Sequence, residues 1–183
     1  LSVETYTARR AYEIADAYRA RGVPVVMGGY HPSFLPDEAA AHADAVVIGD
    51  AEGVWERLLD DARAGKLAPR YQGSAERPLR DYRIDRRIFA GKRYAPVEVV
   101  QYGRGCRFAC EFCSIHSFYG NSVRHRPLDG LLDEIAGLPQ EHLLFFVDDN
   151  LYGPRAEFLA LLKAIAPLKR RWSCQISIDV ARD

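Results

Sequence analysis

Three of the four cysteines stand within eight residues, in the run Gly105-Cys106-Arg107-Phe108-Ala109-Cys110-Glu111-Phe112-Cys113. The spacing C-x3-C-x2-C follows closely on residues 97–101, an apolar segment that reads as a β-strand. Thiolates are the usual ligands of iron–sulfur clusters. Three of them can hold three irons of a cubane and leave the fourth iron open to an outside ligand, as a cluster that binds substrate requires. Gly103 and Gly105 would let the backbone come close to such a group. The competing chemistry is a closed zinc site of Cys106, Cys110, Cys113 and His116, whose spacing is also acceptable. Cys174, inside a later strand-like run, reads as a buried small hydrophobe.

The elements that must carry this loop alternate between helix and strand. Residues 7–21 are amphipathic, with Ala8, Ala11, Tyr12, Ala15 and Tyr18 at helical spacing and Gly22 as a C-cap. Residues 23–27 and 45–48 are short apolar runs that read as buried parallel strands, ending at Gly28-Gly29 and Gly49-Asp50. A short helix opens at Pro36, and residues 52–64 form another. Glycines, prolines and many arginines interrupt the pattern over residues 66–95, which reads as a basic connection, with a short helix around 83–89. A second series follows: strand 97–101, the cysteine loop, helix 127–136, strand 143–147, helix 154–165 and strand 173–178. The fold class is α/β with parallel sheets. In such folds ligands gather at the carboxyl ends of strands, which singles out Asp148, Asp149 and Asn150 after the strand at 143–147, and Ser177 and Asp179 at the end of the last. Arg124 and Arg126 could neutralise an anion or belong to a solvated loop.

Composition narrows the function classes. The chain of 183 residues carries 25 basic and 25 acidic side chains. Residues 1–65 hold six Lys/Arg against eleven Asp/Glu, residues 66–95 nine against three, and residues 96–183 ten against eleven. A basic footprint confined to one connection argues against nucleic-acid binding. No apolar run is long enough to span a bilayer and no signal peptide is visible, so a cytoplasmic protein is expected. Tightly clustered cysteines are no disulfide framework. Both ends look cut, Leu1 falling inside a patterned segment and Asp183 just after a strand-like run, so a piece of a longer protein, inactive alone, is expected.

On the cysteine triplet after a first strand, and on the aromatic Phe112 just before the third cysteine, the chain resembles the radical-SAM superfamily. The resemblance implies a partial (β/α) barrel, of which residues 96–183 would be the first β/α units. It implies that Cys106, Cys110 and Cys113 ligate a [4Fe–4S] cluster, and that S-adenosylmethionine chelates the open iron. One electron, from a donor such as flavodoxin or ferredoxin, then splits the sulfonium to methionine and a 5′-deoxyadenosyl radical, which abstracts hydrogen from a small-molecule substrate. By the same resemblance Phe112, Asp148, Asp149 and Ser177 would contact S-adenosylmethionine. Here Asp-Asp-Asn replaces the family's usual glycine-rich motif, and a carboxylate facing the ammonium would make a charge-assisted hydrogen bond.

Residues 1–65 resemble the carboxy-terminal half of the Rossmann-like cobalamin-binding (B12) domain often fused ahead of a radical-SAM domain. The resemblance implies that Ser2, Gly28, Gly29, Gly49, Asp50 and Glu52 surround the nucleotide tail of cobalamin. Glu4 departs from the leucine usual two residues after the serine, and the loop that carries a cobalt-ligating histidine would precede Leu1. His31 reads as a loop histidine. The implied function is cobalamin-dependent methyl transfer to an unactivated carbon. The alternatives are a radical-SAM cyclase or rearrangement enzyme with a non-transferring or degenerate B12 domain and, in another class, a zinc-binding structural module.

Overall fold

In the computed structural model, which describes residues 1–73, 79 and 84–182, three parallel strands make the first sheet. They are β1 (Val26–Met27), β2 (Ala45–Ile48) and β3 (Arg70–Gln72), in that order. Residues 1–3 run beside β1, where Ser2 bridges Gly28 in parallel. The unbroken apolar run of β2 has a simple cause: both of its faces are covered. Val46 packs with Met27, Ala15 and Ala39, while Ala45 and Val47 pack with Leu58 and Tyr71. The helices responsible are α1 (Ala8–Arg19), α2 (Tyr30–Phe34), α3 (Pro36–His42) and α4 (Trp55–Arg63). Pro36 occupies the first turn of α3 with Asp37 and Glu38, where a missing N–H costs nothing and acidic charge meets the helix dipole.

β3 lies inside segment 66–95, where a connection with a short helix but no strand was expected. Of its three residues only Tyr71 is buried, so it leaves no apolar run to read. The chain divides into two units, Leu1–Arg77 and Pro78–Asp183. Arg83, at the start of the helix expected around 83–89, lies outside the described residues; a 3-10 turn covers Arg86–Phe89.

The second unit contains a parallel sheet of β4 (Val97–Val100), β7 (Leu143–Phe146) and β8 (Trp172–Cys174), in the order β4-β7-β8. Between β4 and β7 the chain inserts a two-stranded antiparallel pair, β5 (Gly103–Arg104) and β6 (Arg124–His125), with α5 (Ser114–Tyr119) between them. Helices α6 (Leu128–Ala136) and α7 (Arg155–Ile165) cover one face of the parallel sheet. There Val100, Leu144 and Phe146 pack with Leu131, Ile135, Phe158 and Leu161. Each fully buried side chain of this size contributes about 1.5–3 kcal/mol of transfer free energy. Val97 and Val99, alternating with them on β4, are exposed. The last strand is shorter than expected, and Ile178–Arg182 forms a 3-10 turn. The chain leaves β8 because Gln175 and Ser177 bond across to the segment after β7 instead of continuing the ladder.

Candidate functional site

The cysteine loop leaves β5 through Gly105, whose φ of +91° suits glycine. A Cβ there would lie 1.9 Å from the carbonyl oxygen of Ser122, so the position also excludes any side chain sterically. The loop ends in a turn in which the Cys113 N–H donates to the Cys110 carbonyl at 3.0 Å, and Cys113 caps α5. All four cysteines are free thiols, Cys110 exposed and the others half-buried. Phe112 stands 92% exposed beside Cys113. Arg107 is pinned by an ion pair to Asp179 and lies over the rings of Phe108 and Tyr152, at 4.9 and 4.6 Å. A hydrogen bond from Ser177, with Arg107 adding to it, holds the Asp179 carboxyl below the ordinary carboxylate range.

Three consecutive residues after β7 clasp this loop. Asp148 is buried, and its two oxygens accept from the backbone N–H groups of Tyr102 (3.1 Å) and Gly103. Burial pushes its carboxyl up to about 6; the N–H groups of Tyr102 and Gly103 oppose this rise and the charge of Asp149 adds to it. Asp149 accepts from the Gly105 N–H at 2.7 Å. Asn150 donates to Cys106 Sγ at 3.6 Å and to Ser177 Oγ at 3.2 Å. Both carboxylates therefore accept from backbone N–H groups, and Asn150's contact with the first cysteine was missed in the sequence. The one available signal was an amide placed after a buried strand whose parallel neighbour feeds the cysteine loop.

The two arginines between loop and helix part company. Arg126 is buried and pairs with Glu134, which also accepts from Arg86 at 2.7 Å. Arg86 in turn bonds Glu98 at 3.1 Å. This network ties the 3-10 turn at Arg86–Phe89 to β4 and α6. Arg124 lies over the Tyr119 ring at 5.1 Å.

In the first unit Ser2, Gly28, Gly29 and Gly49 line one cavity of about 280 Å³ at the carboxyl ends of β1 and β2, with Trp55 as a further wall. Asp50 and Glu52 are not among its lining residues. Ser33, which the sequence did not single out, joins the two glycine loops: its hydroxyl donates to Gly29 O at 2.7 Å and accepts from the Gly49 N–H at 3.0 Å. His31 is no loop histidine. It lies buried in α2, with Nε2 2.9 Å from the Tyr12 hydroxyl and 3.3 Å from Glu38.

Three unpaired thiols on one anchored loop are a donor set that fits a cubane bound through three corners. Among the described residues no three His, Cys, Asp or Glu side chains gather as around a single metal ion. Apolar side chains of Val26, Val47, Ala51 and Trp55 share the lining of the first unit's cavity with its glycines. No helix among the described residues is long and apolar enough to cross a membrane.

No family model matches the chain. It is 34% identical over 189 residues to the bacteriochlorophyllide d C-12(1)-methyltransferase of Chlorobaculum tepidum, covering 98% of this chain and 41% of that protein. It is 42% identical over 134 residues to the bacteriochlorophyllide d C-8(2)-methyltransferase of the same organism, covering 68% of this chain and 29% of that protein. The chain thus spans less than half the length of either relative. Among solved structures it is similar in fold to TsrM, a radical S-adenosylmethionine methyltransferase from Kitasatospora setae. The TM-score is 0.60 and the identity 17%, over 88% of this chain and 36% of that one.

Proposed function

This chain belongs to the radical-SAM enzymes that carry an amino-terminal B12-binding domain, and we propose that it serves cobalamin-dependent methyl transfer to an unactivated carbon. The observation that carries the reading is the cysteine loop: three free thiols, anchored at the carboxyl end of a parallel sheet by Asp148, Asp149 and Asn150. Both relatives described above are methyltransferases, which favours methyl transfer over cyclisation.

In this reading Cys106, Cys110 and Cys113 hold a [4Fe–4S] cluster, on the first β/α units of a partial barrel. The first unit is the carboxy-terminal half of a Rossmann-like domain, whose cavity walled by Ser2, Gly28, Gly29 and Gly49 takes the tail of cobalamin. When bound, cluster and S-adenosylmethionine supply a 5′-deoxyadenosyl radical, and cobalamin supplies the methyl group. The chain's own residues position and shield. Phe112 offers an exposed aromatic face to S-adenosylmethionine, and Asp149 and Ser177 offer polar groups at the strand ends. Asp148, with both oxygens engaged, holds the loop from behind. Asp50 and Glu52 flank the cobalamin cavity rather than wall it. A flavodoxin or ferredoxin delivers the electron. Since both relatives are named for bacteriochlorophyllides, a tetrapyrrole of that class is the first substrate to test.

The test is anaerobic reconstitution of the whole protein with iron and sulfide, read by EPR of the reduced cluster with and without S-adenosylmethionine. The expected result is a [4Fe–4S]⁺ signal that shifts on addition, is lost in Cys110→Ala and persists in Cys174→Ser. Corrinoid absorbance of the purified protein checks the cobalamin site. Zinc retained without iron would overturn the reading.

A further inference from the structure

The amide of Asn150 has only one way to face. Its Oδ1 accepts from two backbone N–H groups, those of Tyr152 at 3.3 Å and Ser177 at 3.1 Å. Backbone N–H groups only donate, so the oxygen must lie on that side. The two N–H bonds of Nδ2 are thereby aimed the other way, and each finds one acceptor: Ser177 Oγ at 3.2 Å and Cys106 Sγ at 3.6 Å. All four hydrogen-bonding positions of the side chain are filled, and the residue is 8% exposed. A group so completely fixed is preorganised, and its remaining function is to present an N–H to the first cysteine sulfur.

We propose that Asn150 is a positioning residue that sets the reduction potential of the cluster ligated by Cys106, by donating its side-chain N–H to that sulfur. The inference rests on the reading that Cys106 is a cluster ligand. Reduction adds one electron from an outside donor and breaks no covalent bond. The added negative charge is shared by the thiolate sulfurs, so an N–H donor aimed at one of them binds the reduced state more strongly than the oxidised state. Hydrogen bonds to the sulfurs and solvent exposure are among the factors that place such potentials. Here burial of the amide limits competition from water for the N–H that it presents to the sulfur.

The perturbation is Asn150→Ser in the whole reconstituted protein. Serine is neutral and can still accept from the N–H two residues on, as the asparagine does from Tyr152, but it is too short to reach Cys106. Ser177→Ala is the companion: it removes the other acceptor of Nδ2 and leaves the bond to sulfur. Midpoint potentials are read by EPR redox titration without S-adenosylmethionine. Asn150→Ser is expected to shift the reduction equilibrium against the reduced cluster on the order of tenfold, about 59 mV for a one-electron couple, while Ser177→Ala keeps the wild-type value. A second measurement needs no variant. With asparagine labelled by ¹⁵N at the side-chain amide, pulsed EPR of the reduced wild-type cluster should show a nitrogen coupling through the N–H···S contact. Equal potentials in Asn150→Ser and wild type, or no ¹⁵N coupling in a well-formed wild-type cluster, would overturn the proposal. Failure of wild type to take up iron and sulfide would instead overturn the functional reading beneath it.

Discussion

Alanine at position 105 would put a methyl group where the carbonyl oxygen of Ser122 already stands, 1.9 Å from the Cβ position. That neighbour is backbone, so no side-chain rotation relieves the overlap, and either β5 or residue 122 must move. The φ of +91° adds strain of about 1–3 kcal/mol for a residue with a side chain. Movement also loosens the 2.7 Å bond from the Gly105 N–H to Asp149, a charge-assisted bond of about 1.5–3 kcal/mol. The expected loss is about 3–5 kcal/mol in the second unit. Gly120 provides the comparison: its φ is +63°, but nothing lies within 4 Å of its Cβ position. Alanine there carries the backbone strain alone, about 1–3 kcal/mol. The assays are urea unfolding of the whole apoprotein and its iron and sulfide content after anaerobic reconstitution. Gly105→Ala should unfold at lower urea and take up less iron and sulfide than wild type under the same reconstitution, because the displaced loop carries the three cysteines. Gly120→Ala should take up most of the wild-type amount. Equal stability and full iron in both variants would refute the reasoning.

Three further outcomes follow from the same geometry. The Asp148 carboxyl, at about 6 against an ordinary 3.8, holds its proton more tightly in the folded state. Its stabilisation is therefore full below about pH 4 and lost as pH rises through 6, by at most about 3 kcal/mol. Asp148→Asn cannot ionise, so the stability of wild type relative to this variant should fall across that window; a rise, measured by urea unfolding at several pH values, would contradict it. Ser33→Ala strands the Gly49 N–H and should cost about 1–3 kcal/mol in thermal unfolding, with weaker corrinoid retention; wild-type behaviour in both would remove Ser33 from the cavity's support. Arg126→Met leaves Glu134 to Arg86 alone and should cost about 2–4 kcal/mol, less than a wholly broken buried pair. Replacing Glu134 by leucine in the same protein should recover part of that loss in equilibrium denaturation, and no recovery would mean the pair is not the source.

Much of the molecule was legible before any coordinates. The run Ala45–Ile48 is β2 as read, because apolar residues buried on both faces leave an uninterrupted local signature. The helices α1, α4, α6 and α7 were read to within a few residues, and the cysteine triplet was singled out as a candidate ligand set by side-chain type and spacing. β3 escaped because a three-residue edge strand with one buried tyrosine carries no pattern. α2 escaped because five residues are too few for a helical period, and His31 went with it into the interior.

Local sequence determined which segments are helix or strand and which residues could act as ligands, since both depend on near neighbours along the chain. Only the tertiary structure decided what holds those ligands in place. Asp148, Asp149 and Asn150 lie more than thirty residues from the cysteine loop in sequence, yet bond Tyr102, Gly103, Gly105 and Cys106, because parallel pairing of β4 with β7 brings the two strand ends side by side. Pairing across a sheet is a long-range choice made by packing the whole core, and no window of sequence contains it.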